Sequence, residues 1–235
     1  MFDLSNACLG VLNGVLVVAE QIERGSLAAG LVVGGEDGRP LVEETLRALS
    51  ARAASTSDER ALKDELKLAF ASLTIGSGAC AILLTRSLGA DDARARLLGA
   101  SALADTSQVE LCQGDRVAGG LAMSTDSEAL LAAGVALAQR TFARFLDELG
   151  WERFDVGRAV THQVGAAHRR ALFAALELEP SIDYSTFAEL GNSGSTALPT
   201  ALSLALEAGA IRSGERVALL GIGSGLHCLM LGAQW

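Results

Sequence analysis

Among the residues of this 235-residue chain, four cysteines and three histidines are the natural candidates for nucleophilic chemistry. Cys8 stands in FDLSNACLG, where a short apolar strand over residues 2–5 is predicted to turn into a nearly uncharged helix over 8–24. A helix N-terminus offers unpaired N–H groups and the positive end of the dipole, which favour a thiolate and predict a lowered pKa. Strand, tight turn, nucleophile and helix is also the order by which acyl-transfer enzymes expose an attacking atom. The competing reading is a buried structural cysteine, a common fate in an apolar chain.

His162, in AVTHQVG, falls at the end of a predicted apolar strand over 156–161, where open α/β sheets present ligand-binding residues. The alternative is a core histidine bonded to a backbone carbonyl. His168, beside Arg169 and Arg170, reads as solvated surface, and His227, next to Cys228, as structural. His162 and His168 lie off one helical face, and Cys8, Cys80, Cys112 and Cys228 show no C-x-x-C spacing. Neither a metal site nor a disulfide framework is therefore expected. Asn192, in ELGNSGSTALP, suits a turn or cap, and its amide could instead donate to a developing oxyanion. The closing GIGSG matches neither G-x-S-x-G nor G-x-G-x-x-G. Glutamine amidotransferases carry an acid two residues after their histidine, where this chain has Val164.

These residues need a scaffold, and the pattern predicts an α/β protein with a layered, largely buried sheet. Strands are expected over 28–34, 79–85, 96–104, 156–161, 216–222 and 226–234, with helices over 8–24, 41–49, 61–70, 126–149 and 166–176 and one ending at Gly209. Residues 50–59 read as a polar connector and 106–124 as loop; the apolar run 79–85 reads as a central strand. Half of the residues are hydrophobic and the net charge is −9, which disfavours a nucleic-acid partner. The apolar run over 7–19 is too short for a membrane span, and a reducing cytoplasm is the default.

Cys8, His162 and Asn192, in that order within ACLG, THQVG and GNSGSTALP and followed by RVALLGIGSGLHC, resemble the Cys-His-Asn set of thiolase-fold condensing enzymes of the ketosynthase III branch. With FDLSNACLG, VVGGEDGRPLVEETL and LLGIGSGL, the chain is most similar there to the long-chain acyl-CoA condensing enzymes of olefin biosynthesis. The resemblance implies a thiolase-like fold of layered α/β/α/β/α type. It makes Cys8 the acyl acceptor, His162 and Asn192 donors to the thioester oxygen of the second substrate, and the backbone N–H groups of Cys8 and Gly223 the oxyanion hole. It also suggests Arg169 and Arg170 as CoA contacts, acyl-CoA or acyl-ACP as substrate, no separate cofactor, and a homodimer or a heterodimer with a homologous chain.

The resemblance further implies that residues 1–90 are the remainder of the N-terminal thiolase half, carrying the nucleophile, and that 91–235 are the C-terminal half. Most of the first half is then expected to be missing, with the glutamate base, and Met1 is expected to be an internal start. Strand groups left unpaired by that gap would each cost about 1–3 kcal/mol, so this chain alone is expected to be unstable or inactive. The alternatives are a decarboxylating 3-oxoacyl-ACP synthase III and a non-catalytic or split subunit.

Overall fold

Three sheets organise the computed structural model, which describes every residue except 88, 90–94, 118–119 and 163. Helix α1 (Gly10–Glu23) buries Val11, Leu12, Val15, Val18 and Ile22, a spacing of three and four that makes one apolar stripe. Strand β1 (Ala29–Glu36) pairs antiparallel with β2 (Gly78–Thr85), from Ala29 opposite Thr85 to Glu36 opposite Gly78. The central, fully buried strand expected at 79–85 is not found. Among the described residues β2 has only β1 beside it, and Leu31, Val33 and Leu83 stand 60–69% exposed on the outer face. A continuous apolar run cannot distinguish these cases, because only the neighbouring layer decides which face is covered.

Between these strands, α2 (Arg39–Ser55) and α3 (Glu59–Leu73) form a helical hairpin. The expected connector over 50–59 shrinks to 56–58, since its alanines and Arg52 are good helix formers. Arg52 then reaches Glu65 at 2.7 Å, and Asp58 caps α3 by accepting from the N–H groups of Arg60 and Ala61.

The main sheet has the order β3, β8, β7, β6, comprising β3 (Arg96–Ala104), β6 (Arg158–Thr161), β7 (Arg216–Gly223) and β8 (His227–Gln234). Only β6 and β7 run parallel. The expected loop over 106–124 is instead a 3-10 turn followed by an antiparallel hairpin, β4 (Cys112–Val117) and β5 (Gly120–Thr125). Its pairing partners come from its own two arms, so no long apolar run announces it.

Helix α4 (Ser127–Leu149), capped by Asp126, is long and apolar enough by length and composition to cross a membrane. Its stripe of Leu137, Phe142, Phe145 and Leu146 is nevertheless committed to the sheet. With α5 (Ala166–Leu176) it covers one face of the main sheet, meeting Leu220 and Met230. On the other face α1 and α7 (Ala197–Glu207) meet Val217, Leu219 and Leu231, and the β1–β2 ribbon lies beyond them. The short α6 (Phe187–Leu190) leads into α7. The N-terminus of α1 is thereby sandwiched between two sheets. The expected division of the chain at 90/91 lies outside the described residues.

Candidate active site

Residues 2–5 form no strand, contrary to expectation, because no ladder partner runs beside them among the described residues. The turn after them is real. Ala7 adopts φ +42°, the Leu9 N–H donates to the Asn6 carbonyl at 2.9 Å, and α1 starts two residues beyond Cys8. The Asn6 side chain is tied to that of Asn13 on α1. His227 lies 3.2 Å through Nε2 from the Asn6 carbonyl, which can only accept, so Nε2 carries the proton.

The half-buried Cys8 thiol does not show the expected lowered pKa. Burial first, then the charges of Glu36 and Cys112, push it up to about 11. Desolvation outweighs the helix terminus here. A nucleophilic role for Cys8 would therefore require removal of its proton.

His162 extends the β6–β7 ladder by donating its N–H to the Leu220 carbonyl at 3.0 Å. Its ring is 3% exposed, and among the described residues neither ring nitrogen meets a partner at strict hydrogen-bonding geometry, the Asn192 side chain being its polar neighbour of consequence. The alternative of a core histidine bonded to a carbonyl is thus not what the fold builds. Burial, followed by the neighbouring His168, lowers its pKa to about 4, while the nearby Asn192 amide favours protonation and His227 opposes it. At neutral pH His162 is an uncharged donor and acceptor.

Asn192 serves the turn and leaves one group over. Its backbone is bonded on both sides to the segment before β2, N–H to Thr74 at 2.9 Å and carbonyl from Gly76 at 2.8 Å. Its Oδ1 accepts from the Gly194 N–H at 3.1 Å, so the Nδ2 amide is the end that remains to donate. The approach is close enough that a side chain at Gly76 would overlap the Leu190 carbonyl, and one at Gly78 would come within 2.7 Å of Thr196 Oγ1. Gly194 itself sits at φ +56°.

Gly223 closes β7 opposite His227, and a β-carbon there would stand 2.6 Å from His227 Nε2. His227 ties the β7–β8 turn to Asn6, and Ser224 donates to Cys112 Sγ at 3.3 Å. The two arginines part company. Arg169 is committed to the fully buried Asp183 carboxylate at 2.5 Å and to the Pro180 carbonyl, and it stacks 5.6 Å from the Phe173 ring centre. Arg170 is exposed, and both arginines line a 270 Å³ cavity with His162, His168 and Phe187. His168 is not the solvated residue expected, since burial lowers its pKa to about 4. Cys228 is buried with its thiol pushed up to about 12, and it belongs to the core. Sequence reasoning missed Glu36, Ser195 and Cys112 as neighbours of the site. No motif marks them, because long-range packing alone brings them there.

Over its whole length the chain is 40% identical to an acyl-CoA:acyl-CoA alkyltransferase of Shewanella oneidensis, 67% of which it covers. The chain belongs to the acyl-CoA:acyl-CoA alkyltransferase family. A second member, from Xanthomonas campestris pv. campestris, is 37% identical over the whole chain, which covers 66% of it. A structure of Xanthomonas campestris OleA with bound lauric acid and lauroyl-CoA superposes with a TM-score of 0.86 at 35% identity, over 100% of this chain and 66% of that one. Residues 146–235 also match the C-terminal domain of 3-oxoacyl-[acyl-carrier-protein] synthase III. The fold is thus the thiolase-like fold of the ketosynthase III enzymes, and the chain spans about two thirds of the length of these relatives.

Proposed function

We propose that this chain carries the acyl-transfer and condensation centre of an OleA-like enzyme that joins two long-chain acyl-CoA thioesters in a Claisen reaction. Cys8, once deprotonated, attacks the first thioester carbonyl, forming a carbon–sulfur bond and expelling the CoA thiolate. Backbone N–H groups at Cys8 and Gly223 receive the developing oxyanion. The second thioester loses a proton from its α-carbon, and the enolate oxygen is held by His162 and the Asn192 Nδ2 amide. The α-carbon then attacks the acyl–Cys8 carbonyl, releasing the cysteine thiolate and a β-ketoacyl thioester.

The observation that carries this reading is His162, buried, uncharged and without a strict hydrogen-bond partner among the described residues, beside an Asn192 side chain whose Oδ1 is taken by Gly194. A polar ring left unbonded in a core is costly unless something arrives to bond it. Both arginines line the cavity, and because Arg169 is held by Asp183 the exposed Arg170 is the better candidate to meet CoA. The general base is assigned to no residue of this chain. A homodimer or a heterodimer with a homologous chain, in the cytoplasm, belongs to the same proposal, as does the division into two thiolase halves at about residue 90.

The match of residues 146–235 to the 3-oxoacyl-ACP synthase III domain favours a second reading, decarboxylative extension of an acyl primer by malonyl-ACP. Product mass separates the two: two whole acyl chains joined, or one chain longer by two carbons. Incubation with lauroyl-CoA should give an acyl adduct on Cys8 that is absent in Cys8→Ala. An adduct that persists in Cys8→Ala removes Cys8 from the reaction.

A further inference from the structure

Asp183 takes no part in the chemistry above, yet its fully buried carboxylate bonds to both sides of the segment that carries His162. Its Oδ1 accepts at 3.3 Å from the hydroxyl of Thr161, the residue before His162 at the end of β6. Its Oδ2 accepts from Arg169 Nε at 2.5 Å, and Arg169 closes the first turn of α5 by donating its N–H to the Gly165 carbonyl at 3.0 Å. The same guanidinium donates to the Pro180 carbonyl at 2.5 Å, so it grips the 180–183 turn at two points. That turn is itself pinned to β6, since the Tyr184 N–H donates to the Ala159 carbonyl and Arg158 donates to the Ser181 carbonyl, both at 3.3 Å. One carboxylate therefore joins the strand that ends before His162 to the helix that begins after it. Glu36 at the end of β1 serves the Asn192 turn in a comparable way, accepting from the N–H and hydroxyl of Ser195 at 3.0 and 2.5 Å.

We propose that Asp183 is a positioning residue for His162, which through Thr161 and Arg169 fixes the backbone on either side of the ring and keeps the ring buried beside Asn192. Stability alone explains such a pair poorly. Desolvating two charges roughly cancels their attraction, and apolar residues of similar volume often serve a core as well. What the charge-assisted bonds add is fixed direction. His162 needs that direction from its flanks, because among the described residues its own ring nitrogens make no strict hydrogen bond. His168 on α5 and His227 on β8 also face the ring, but burial lowers both of their pKa values, so at pH 7 neither orients it by charge. The catalytic consequence rests on His162 holding the second thioester, whereas the hold on the ring does not.

The test reads the ring directly and requires no turnover, so its failure is distinct from failure of the condensation reading. The 235-residue chain is treated with diethyl pyrocarbonate at pH 7, and tandem mass spectrometry follows each histidine. His162 and His168 fall in the tryptic peptide that begins at Ala159, and His227 falls in the one that begins at Val217. Arg169→Met/Asp183→Asn replaces the pair by neutral groups of similar size. It should raise the His162 rate by roughly tenfold, through easier local opening, and leave the His227 rate at its wild-type value. A pair that served stability alone would move His162 and His227 together or move neither. Either result, in a variant folded by circular dichroism, overturns the proposal. If the double variant does not fold, Thr161→Val serves instead. It removes one bond to Asp183 at nearly constant shape and should raise the His162 rate relative to His227, and an unchanged ratio overturns the proposal.

Discussion

Protonation of His162 should destabilise this protein in mild acid, and the size of the effect can be worked from the site. Its folded pKa is about 4 against an ordinary 6.5, because burial disfavours the imidazolium. Below pH 6.5 the unfolded chain binds a proton that the folded chain refuses, so stability falls as pH drops from 6.5 toward 4. At about 1.4 kcal/mol per unit, the full loss is about 3 kcal/mol, most of it incurred by pH 4.5. His168 acts in the same direction, and Asp183, whose pKa burial raises, acts in the opposite one. Comparison with His162→Asn isolates the His162 share, since both other groups remain. Urea unfolding followed by tryptophan fluorescence suits the measurement, because Trp151 is buried in the α4 cluster. With a urea slope of about 2–3 kcal/mol/M, the wild type should lose about 1 M more in midpoint than His162→Asn between pH 7 and 4.5. Parallel pH dependence in the two proteins would refute a neutral, desolvated His162.

Two further outcomes follow from particular contacts. Arg169→Met strands the buried Asp183 carboxylate and should cost about 3–5 kcal/mol in urea melts at pH 7, with part of the loss recovered in Arg169→Met/Asp183→Asn. Gly76→Ala places a methyl group on the Leu190 carbonyl and should destabilise by about 1–3 kcal/mol while shifting the Asn192 turn, read as weaker lauroyl transfer to Cys8.

Much of the scaffold was legible because its signals are local. The β3 strand, α4 and α5 were readable from apolar spacing. The β4–β5 hairpin was not, since it depends on pairing between its own two arms, and the true length of α2 was missed although its alanines and Arg52 favour helix. The same division runs through the site. Cys8, His162 and Asn192 stood out as residue types in suggestive settings, while the state of each was decided elsewhere.

The sequence by itself determined that this is an α/β chain with a cysteine at a helix start, a histidine at a strand end and an asparagine in a glycine-rich turn. Those are properties of neighbours within a few residues. Tertiary structure alone decided that the Cys8 thiol is held protonated, that His162 is buried and neutral, that Arg169 serves Asp183, and that Glu36 clasps the Asn192 turn. Each depends on desolvation or on charges distant along the chain, and such fields exist only once the layers have closed.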